Sequence, residues 1–230
     1  MKVVVTCEHG GNRVPKRYLK YITDAGINNT HRAYDAGAYD LYQAISGSFA
    51  DFRRSSGISR LLIDFNRSLN NRNIFSVYSR NIPEIDLLKL VDLYKKYRES
   101  VTGFINFSIK RKSTVFHLSI HTFVPELDGI KRHNDIGILF DPKIKEEKSV
   151  ASKWKSIMSD INPEYKIRLN YPYLGISDGF TTHLRKLFAT GYIGIELEVN
   201  QKHVVKNRIK PEIKETIVQS LRNLIGNYQL

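Results

Sequence analysis

Cysteine is almost absent from this chain of 230 residues, because Cys7 is the only one. A single thiol forms no internal disulfide, and it excludes a zinc site built from several cysteines. Scarce cysteine is also typical of proteins from a reducing compartment, so we expect a cytoplasmic protein. Any metal site in the chain must then be made of histidine and carboxylate side chains.

Long apolar runs are missing as well. No apolar stretch approaches the roughly 18 residues that a membrane-spanning helix requires, so we expect no membrane association. The first residues lack the apolar core and small-residue cleavage site of a signal peptide. Residues 3–5 are therefore predicted to form a first strand rather than part of a leader.

Acidic residues are few relative to basic ones, with 23 Asp and Glu against 36 Lys and Arg, which gives a formal net charge of +13. Such an excess suggests a nucleic-acid partner as one hypothesis. However, the basic residues are scattered, and their short clusters at 16–17, 53–54 and 110–112 form no stripe interleaved with exposed aromatic residues. A small anionic partner is the prediction that we prefer to a nucleic acid.

Strand and helix signals alternate along the chain, which predicts an α/β architecture. No repeat, low-complexity tract or linker interrupts it, so residues 1–230 are interpreted as one domain. Apolar spacing predicts helices around residues 87–101 and 213–224, the second with Pro211 near its start and Gly226 just past its end. Short apolar runs predict buried strands at residues 3–5, 61–63, 115–120, 136–140 and 192–199.

Polar residues follow the predicted strands, where α/β proteins usually bind ligands. After the first strand come Glu8, His9 and a Gly-Gly pair, which lets the backbone approach a ligand closely. The segment is equally consistent with an ordinary polar turn. His9 is a candidate metal ligand on the first interpretation.

The third predicted strand carries two histidines on one face, because side chains alternate along a strand. His117 and His121 share that face with Ser119. We interpret His117 as a core histidine and His121, which lies nearer the loop, as a metal ligand.

A further histidine and carboxylate precede an apolar helical pattern. His31 and Asp35 are four residues apart, so a helix through them would place both on one face. Together they could bind a metal, or they could form a simple ion pair on a helix surface.

The last predicted strand places Glu196 and Glu198 on one face. Two carboxylates on an interior strand repel one another unless a cation lies between them. A solvated edge strand is the alternative interpretation.

Arginine near the second predicted strand suits recognition of a carboxylate. Arg60, Asn66 and Arg67 are therefore candidate substrate contacts, although Asp64 and Arg67 could instead pair within a turn. Residues 170–183 are rich in turn formers and predict a long loop, which could fold over a site and bring Tyr173 to it.

Several of these segments occur together in a known order, and their combination is more specific than any one of them. This ordered set resembles the N-formylglutamate amidohydrolase family over roughly residues 3–201. The resemblance implies a fold similar to zinc carboxypeptidases and aspartoacylases, with three layers and a central mixed, mostly parallel sheet between helices. The motifs are, in chain order, CEHGGN, HRAYDAGA, SRLLIDFNRS, HLSIHTFVPELDG, DIGILFDP, NYPYLGISDGFTTHLR and GIELEVNQ.

The resemblance implies that His9 and His121 bind zinc or another divalent metal. Related carboxypeptidases take a third ligand from a glutamate three residues after the first histidine, but this chain has Asn12 there. We choose Asp35 as the third ligand, because a carboxylate commonly accompanies two histidines, and keep Glu8 and His31 as alternatives.

The resemblance also implies that Glu198 is the general base and that Asn66 and Arg67, with Arg60, receive the substrate carboxylate. The expected reaction is hydrolysis of N-formylglutamate to formate and glutamate. The alternatives are another N-acyl amino acid or peptide-like amide, a basic nucleic-acid-binding protein, and an inactive scaffold.

Overall fold

The computed structural model describes residues 1–226, and its centre is a six-stranded sheet in the order β2-β1-β3-β8-β6-β7. Within this sheet, neighbouring strands are parallel except for β6 and β8, which are antiparallel. The strands are β1 (Lys2–Cys7), β2 (Phe52–Ser55), β3 (Val115–Phe123), β4 (Glu126–Leu127), β5 (Ile130–Lys131), β6 (Ile136–Leu139), β7 (Ile167–Leu169), β8 (Tyr192–Asn200), β9 (Val204–Val205) and β10 (Arg208–Ile209). The helices are α1 (Ala38–Phe49), α2 (Glu84–Lys110), α3 (Lys145–Ile161), α4 (Phe180–Leu187) and α5 (Pro211–Gly226).

Helices cover both faces of the sheet. On β1, Val3 and Val5 pack in the apolar cluster that includes α1, α3 and α5, whereas Val4 packs in the cluster that includes α2 and α4. Successive strand side chains point to opposite faces, so one strand contributes to both cores. The expected three-layer α/β/α fold with a mixed, mostly parallel sheet is confirmed. No helix in residues 1–226 has the length and apolar character needed to span a membrane.

The central strands β3 and β8 position the polar residues of the sheet. Both strands are buried at every residue, which rules out the solvated edge strand considered for Glu196 and Glu198. They are parallel neighbours, and their register places His121 directly beside Glu198. Every second residue of these strands is polar over part of their length, and these polar side chains lie on the face toward α2 and α4. The apolar residues between them, such as Leu118 and Ile195, pack on the opposite face.

The strand predicted at residues 61–63 is wrong. Leu62 and Ile63 are completely buried in the α2 and α4 core, but residues 60–62 form a turn and Ile63 belongs to no strand. The Ser79 hydroxyl donates to the carbonyls of Leu61 and Leu62, and the Leu62 amide bonds within the turn to Ser59. The second strand is instead β2, a polar edge strand that lacks a continuous apolar signal.

The helix expected through His31 and Asp35 is also wrong. Helix α1 begins only at Ala38, because Gly37 in front of it has a positive φ of 80°. Residues 31–33 form a turn, so His31 and Asp35 are not neighbours on a helix face.

Two boundaries of helices also differ from the prediction. Phe180 begins α4 inside the predicted loop of residues 170–183, and Gly226 is the last residue of α5.

A buried ion pair joins α3, α4 and β8. Glu147 accepts bonds from Arg185 Nε at 2.9 Å and from the Gly194 amide at 2.8 Å. The guanidinium also donates to the carbonyls of Gly175 and Gly194, at 2.6 and 2.9 Å. The pair therefore attaches the loop before α4 to the centre of the sheet.

Replacing Arg185 with methionine should destabilise the fold by about 3–5 kcal/mol, because the buried Glu147 carboxylate would lose its counter-charge. Chemical denaturation of the two proteins measures this difference. Lys96→Met is the control, since Lys96 and Asp92 form an ion pair with side chains 66% and 56% exposed, and it should leave stability nearly unchanged. Equal stability of Arg185→Met and the unchanged protein would show that the pair has no structural role.

Candidate active site

Three side chains from separate parts of the chain meet at the carboxyl ends of β1 and β3. His9 follows β1, His121 lies near the end of β3, and Asp35 belongs to the segment before α1. The Asp35 amide donates to the carbonyl of His9 at 2.9 Å, which holds that segment against the strand end. One potential ligand atom from each residue lies within 4.8 Å of the others, and all three residues are buried.

The spacing of these atoms suits a metal ion. Asp35 Oδ2 lies 2.9 Å from Nδ1 of His121 and 3.4 Å from Nδ1 of His9. Zinc bound by oxygen and nitrogen at about 2.0–2.1 Å in a tetrahedron separates its ligands by roughly 3.3 Å. Two imidazoles and one carboxylate are also a donor set that zinc accepts in hydrolytic sites. The residues therefore fit a divalent metal.

The opposite nitrogen of each histidine is held by a hydrogen bond. His9 Nε2 lies 2.7 Å from Asp64 Oδ1. His121 Nε2 lies 3.0 Å from the Ser119 hydroxyl, which itself donates to Glu8 at 2.6 Å. A donor bond from Nε2 favours the tautomer in which Nδ1 carries no proton, which is the form needed by a ligand that binds through Nδ1.

The charges of these groups are strongly coupled. Burial alone would raise the pKa of Asp35, but Arg60 and His9 hold it well below its usual value. Burial opposes protonation of His121, yet its hydrogen bonds with Asp35 and Glu8 raise its pKa well above the usual value. Against the effect of burial, the bond with His121 lowers the pKa of Glu8 to about 2. The cluster thus supplies carboxylates that stay ionised around a position suited to a cation.

Glu198 is the least satisfied carboxylate of the site. It is 5% exposed, and its buried Oε2 atom has no hydrogen-bond partner among residues 1–226. Burial raises its pKa to about 8, and the neighbouring charge of Asp35 adds to this effect. The neighbouring Glu196, by contrast, accepts a bond from the Thr181 hydroxyl. A carboxyl group beside His121 with an orphaned oxygen and a pKa near neutrality is suited to exchange a proton with a reacting molecule.

Arg60 contacts the histidine and carboxylate cluster directly. Its Nη2 atom lies 2.5 Å from Asp35 Oδ1 and 2.7 Å from the carbonyl oxygen of His31. Its Nη1 atom lies 3.2 Å from Nδ1 of His9. Arg60 therefore fixes the orientation of Asp35 while it forms part of the cavity wall.

Asn66 and Arg67 lie in the cavity wall and are held from behind. The side-chain oxygen of Asn66 accepts a hydrogen bond from the Phe180 amide at 2.7 Å. Arg67 Nη1 donates a hydrogen bond to the Asp178 carbonyl at 2.7 Å. The buried Arg98 donates to the Arg67 carbonyl at 2.9 Å and stacks on Phe180. The backbone that carries both candidate substrate contacts is thus tied to α2 and α4. Asp64 accepts the amides of both residues instead of pairing with the Arg67 guanidinium.

The loop before α4 closes one side of a cavity of about 200 Å³. The loop packs tightly, since a side chain at Gly175 would meet backbone atoms of Phe140 at 2.2 Å. Tyr173, in this wall, accepts a hydrogen bond from Arg132 at 2.9 Å. The cavity is lined by His9, Asp35, Arg60, Asn66, Arg67, His121, Thr122, Tyr173, Leu174, Ser177, Asp178, Glu196 and Glu198.

Other candidate residues lie outside the cluster. His117 is a buried core histidine, as predicted. Its ring nitrogens form hydrogen bonds with the hydroxyls of Thr6 and Tyr192 at 2.8 and 2.7 Å. Asn12 bonds to the Asn28 carbonyl. The two alternative third ligands are also placed elsewhere, since the His31 side chain is exposed and Glu8 approaches His121 at Nε2, 3.3 Å away. Cys7 is buried, which raises the pKa of its thiol.

Sequence reasoning missed the residues that support the site. Tyr97 donates to Glu8 at 2.9 Å, and Arg98 holds the segment of Arg67. Both belong to α2, where neither spacing nor composition separates them from ordinary helix residues. Only the packing of α2 against the sheet shows their contacts.

The fold and cavity define an α/β protein of the class that binds small ligands at the carboxyl ends of parallel strands. The chain belongs to the N-formylglutamate amidohydrolase family, whose model matches residues 1–205. This confirms the resemblance found in the sequence and places the chain in a family of hydrolases. No curated protein sequence is significantly similar to the chain.

Solved structures that are similar in fold include the following two. The gene product Atu2144 of Agrobacterium tumefaciens superposes with a TM-score of 0.82 at 21% identity, covering 100% of this chain and 92% of its own. An N-formylglutamate amidohydrolase of Ralstonia eutropha has a TM-score of 0.69 at 16% identity, covering 97% of this chain and 91% of its own. These similarities show a shared fold.

Proposed function

We propose that this protein is a metal-dependent amidohydrolase that cleaves N-formylglutamate to formate and glutamate. One observation carries the proposal: the two histidines and Asp35 converge beside a buried carboxylate with an orphaned oxygen, in a cavity that also contains two arginines. Membership of the family supports the substrate assignment. The cavity of about 200 Å³ suits a small substrate better than a peptide.

His9, Asp35 and His121 would hold the ion, zinc being the first choice for this donor set. When bound, a divalent ion makes water more acidic and polarises a carbonyl group. Glu198 takes the proton of the attacking water at its orphaned carboxylate and delivers it to the leaving amine. Asp64 and Ser119 orient the two imidazoles and favour the tautomer in which Nδ1 can bind a metal.

Arg67 and Asn66 bind the carboxylate of the substrate. Arginine and an amide can donate several parallel hydrogen bonds to a carboxylate, which sets the position of the scissile amide. Arg60 adds positive charge to the lining of the cavity, and Tyr173 lines it as well. The substrate is thus held by its charge, and the amide is placed at the cluster.

Replacing Arg67 with glutamine should raise KM about 10-fold or more, because a charge-assisted hydrogen bond contributes about 1.5–3 kcal/mol. The value of kcat should fall less, since the reacting groups remain in place. Arg53→Gln, which changes an exposed arginine on β2, is the matched control and should leave both constants unchanged. An unchanged KM for Arg67→Gln would contradict the assigned role.

A panel of substrates tests the proposed reaction. Released amine is measured for N-formylglutamate, N-formylaspartate, N-acetylglutamate and N-formylleucine with protein loaded with zinc, manganese or cobalt. The proposal predicts the highest kcat/KM for N-formylglutamate. Faster cleavage of another member would keep the chemistry and replace the substrate, and no cleavage of any member with any of the metals would refute the proposed activity.

A further inference from the structure

A second cavity of about 490 Å³ adjoins the active site, and its wall carries four arginines. They are Arg32, Arg60, Arg72 and Arg80, and we call this cavity the arginine cleft. Arg60 lines both the arginine cleft and the catalytic cavity, so both cavities reach this residue. The mechanism described above uses no other arginine of the cleft.

The positive charges of the cleft are poorly compensated. Among the described residues that line it, Asp64 is the only acidic one, and it is already bonded to His9 at 2.7 Å. Nearby, Asp24 accepts a hydrogen bond from Tyr78 of the wall and offsets part of the charge. In the part of the chain that the structure describes, the side chains of Arg72 and Arg80 form no ion pair. Unpaired cations around a concave surface attract an anion.

The wall of the cleft also has apolar surface. Leu61, Phe75, Val77 and Leu87 line it together with the arginines. A ligand that used the whole cleft would therefore bury an apolar body and place its charge at the arginines. An inorganic anion would contact the arginines but would leave the apolar part of the wall without a partner.

We propose that the arginine cleft is a second ligand site, which binds a small organic carboxylate with an apolar body. Its volume lies within the range of small-molecule sites, about 300–1,000 Å³. Guanidinium groups favour carboxylates because both are planar and can form two parallel hydrogen bonds. The site accounts for part of the +13 charge that the catalytic residues leave unexplained.

The test uses the fluorescent probe 8-anilinonaphthalene-1-sulfonate, which combines an apolar body with one negative charge. Its dissociation constant is measured for the intact protein, for Arg72→Glu with Arg80→Glu, and for Arg53→Glu with Arg208→Glu. Both double variants change the net charge equally, and all four arginines are exposed. The proposal predicts at least 10-fold weaker binding for the cleft variant and less than 3-fold for the control pair.

Competition identifies the ligand chemistry. Hexanoate should displace the probe, whereas inorganic phosphate at equal ionic strength should not. Displacement by phosphate alone, or equal weakening in both double variants, would overturn the proposal in favour of nonspecific charge. Displacement by a short oligonucleotide but not by hexanoate would overturn it in favour of a nucleic-acid surface.

Two further variants guard against misleading results. Arg72→Gln with Arg80→Gln removes the charges without reversing them and replaces the glutamate variant if that one fails to fold. Arg67→Gln alters the catalytic cavity and should leave probe binding unchanged. Loss of probe binding in Arg67→Gln would place the probe in the catalytic cavity and overturn the assignment, whatever the protein hydrolyses.

Discussion

Replacing Glu198 with glutamine is expected to lower kcat about 10²–10⁴-fold, the range that general acid–base catalysis contributes. Glutamine keeps the shape of the side chain but cannot take a proton from water. Glu198 lies beside His121 in the register of β3 and β8, and its Oε2 forms no hydrogen bond within the described part of the chain. Steady-state hydrolysis of N-formylglutamate measures the effect, and metal content should not change.

Glu196→Gln is the matched control, because Glu196 lies on the same face of the same strand and is similarly buried. Its carboxylate is engaged by the Thr181 hydroxyl, so it is not available as a base. We expect a decrease of at most about 10-fold for this variant, from altered packing alone. If Glu198→Gln kept more than a tenth of the activity, the base would have to be another group.

Replacing His121 with alanine should weaken metal binding by at least about 100-fold and abolish turnover. Loss of a group that merely orients a ligand already costs about 10–100-fold in affinity, and His121 would be a ligand itself. The change also removes a partner of Asp35 Oδ2 at 2.9 Å. Competition with a chelator of known affinity gives the dissociation constant directly, without any assay of activity.

His183→Ala serves as the control for His121→Ala. His183 is a half-buried histidine on α4 that lies outside the three-residue cluster. Its loss should leave both metal affinity and kcat within about 3-fold of the unchanged protein, since it would remove no ligand. Similar metal loss in both variants would show that the site responds to general destabilisation and not to a missing ligand.

The sequence predicted the parts of the fold that depend on continuous apolar runs. Strands β3 and β8 were predictable because they are long, apolar and buried on both sides. Their alternation predicted that His121 lies on the polar face of β3 and Glu198 on the polar face of β8. The buried run at residues 61–63 carries the same signal. However, its peptide groups form hydrogen bonds with the Ser79 hydroxyl and within a turn to Ser59, and not with a neighbouring strand. An apolar run indicates burial, and the location of its hydrogen-bond partners decides whether a strand forms.

The candidate site could be predicted only as separate residues. Asp35 was chosen for its chemistry, and it does approach His121, although the helix thought to present it does not exist. Its position depends instead on a backbone bond to His9. The roles of Glu8 and Arg98 arise from contacts between distant segments, which periodicity along the chain cannot reveal.

The most direct test of a metal-dependent amidohydrolase is to titrate metal back into chelated protein while measuring both bound metal and release of glutamate from N-formylglutamate. The account predicts that activity is lost on chelation and returns in proportion to bound zinc, manganese or cobalt. It should reach its maximum at one ion per chain, the capacity of the cluster of His9, Asp35 and His121. Full turnover by protein that holds no metal would contradict the account.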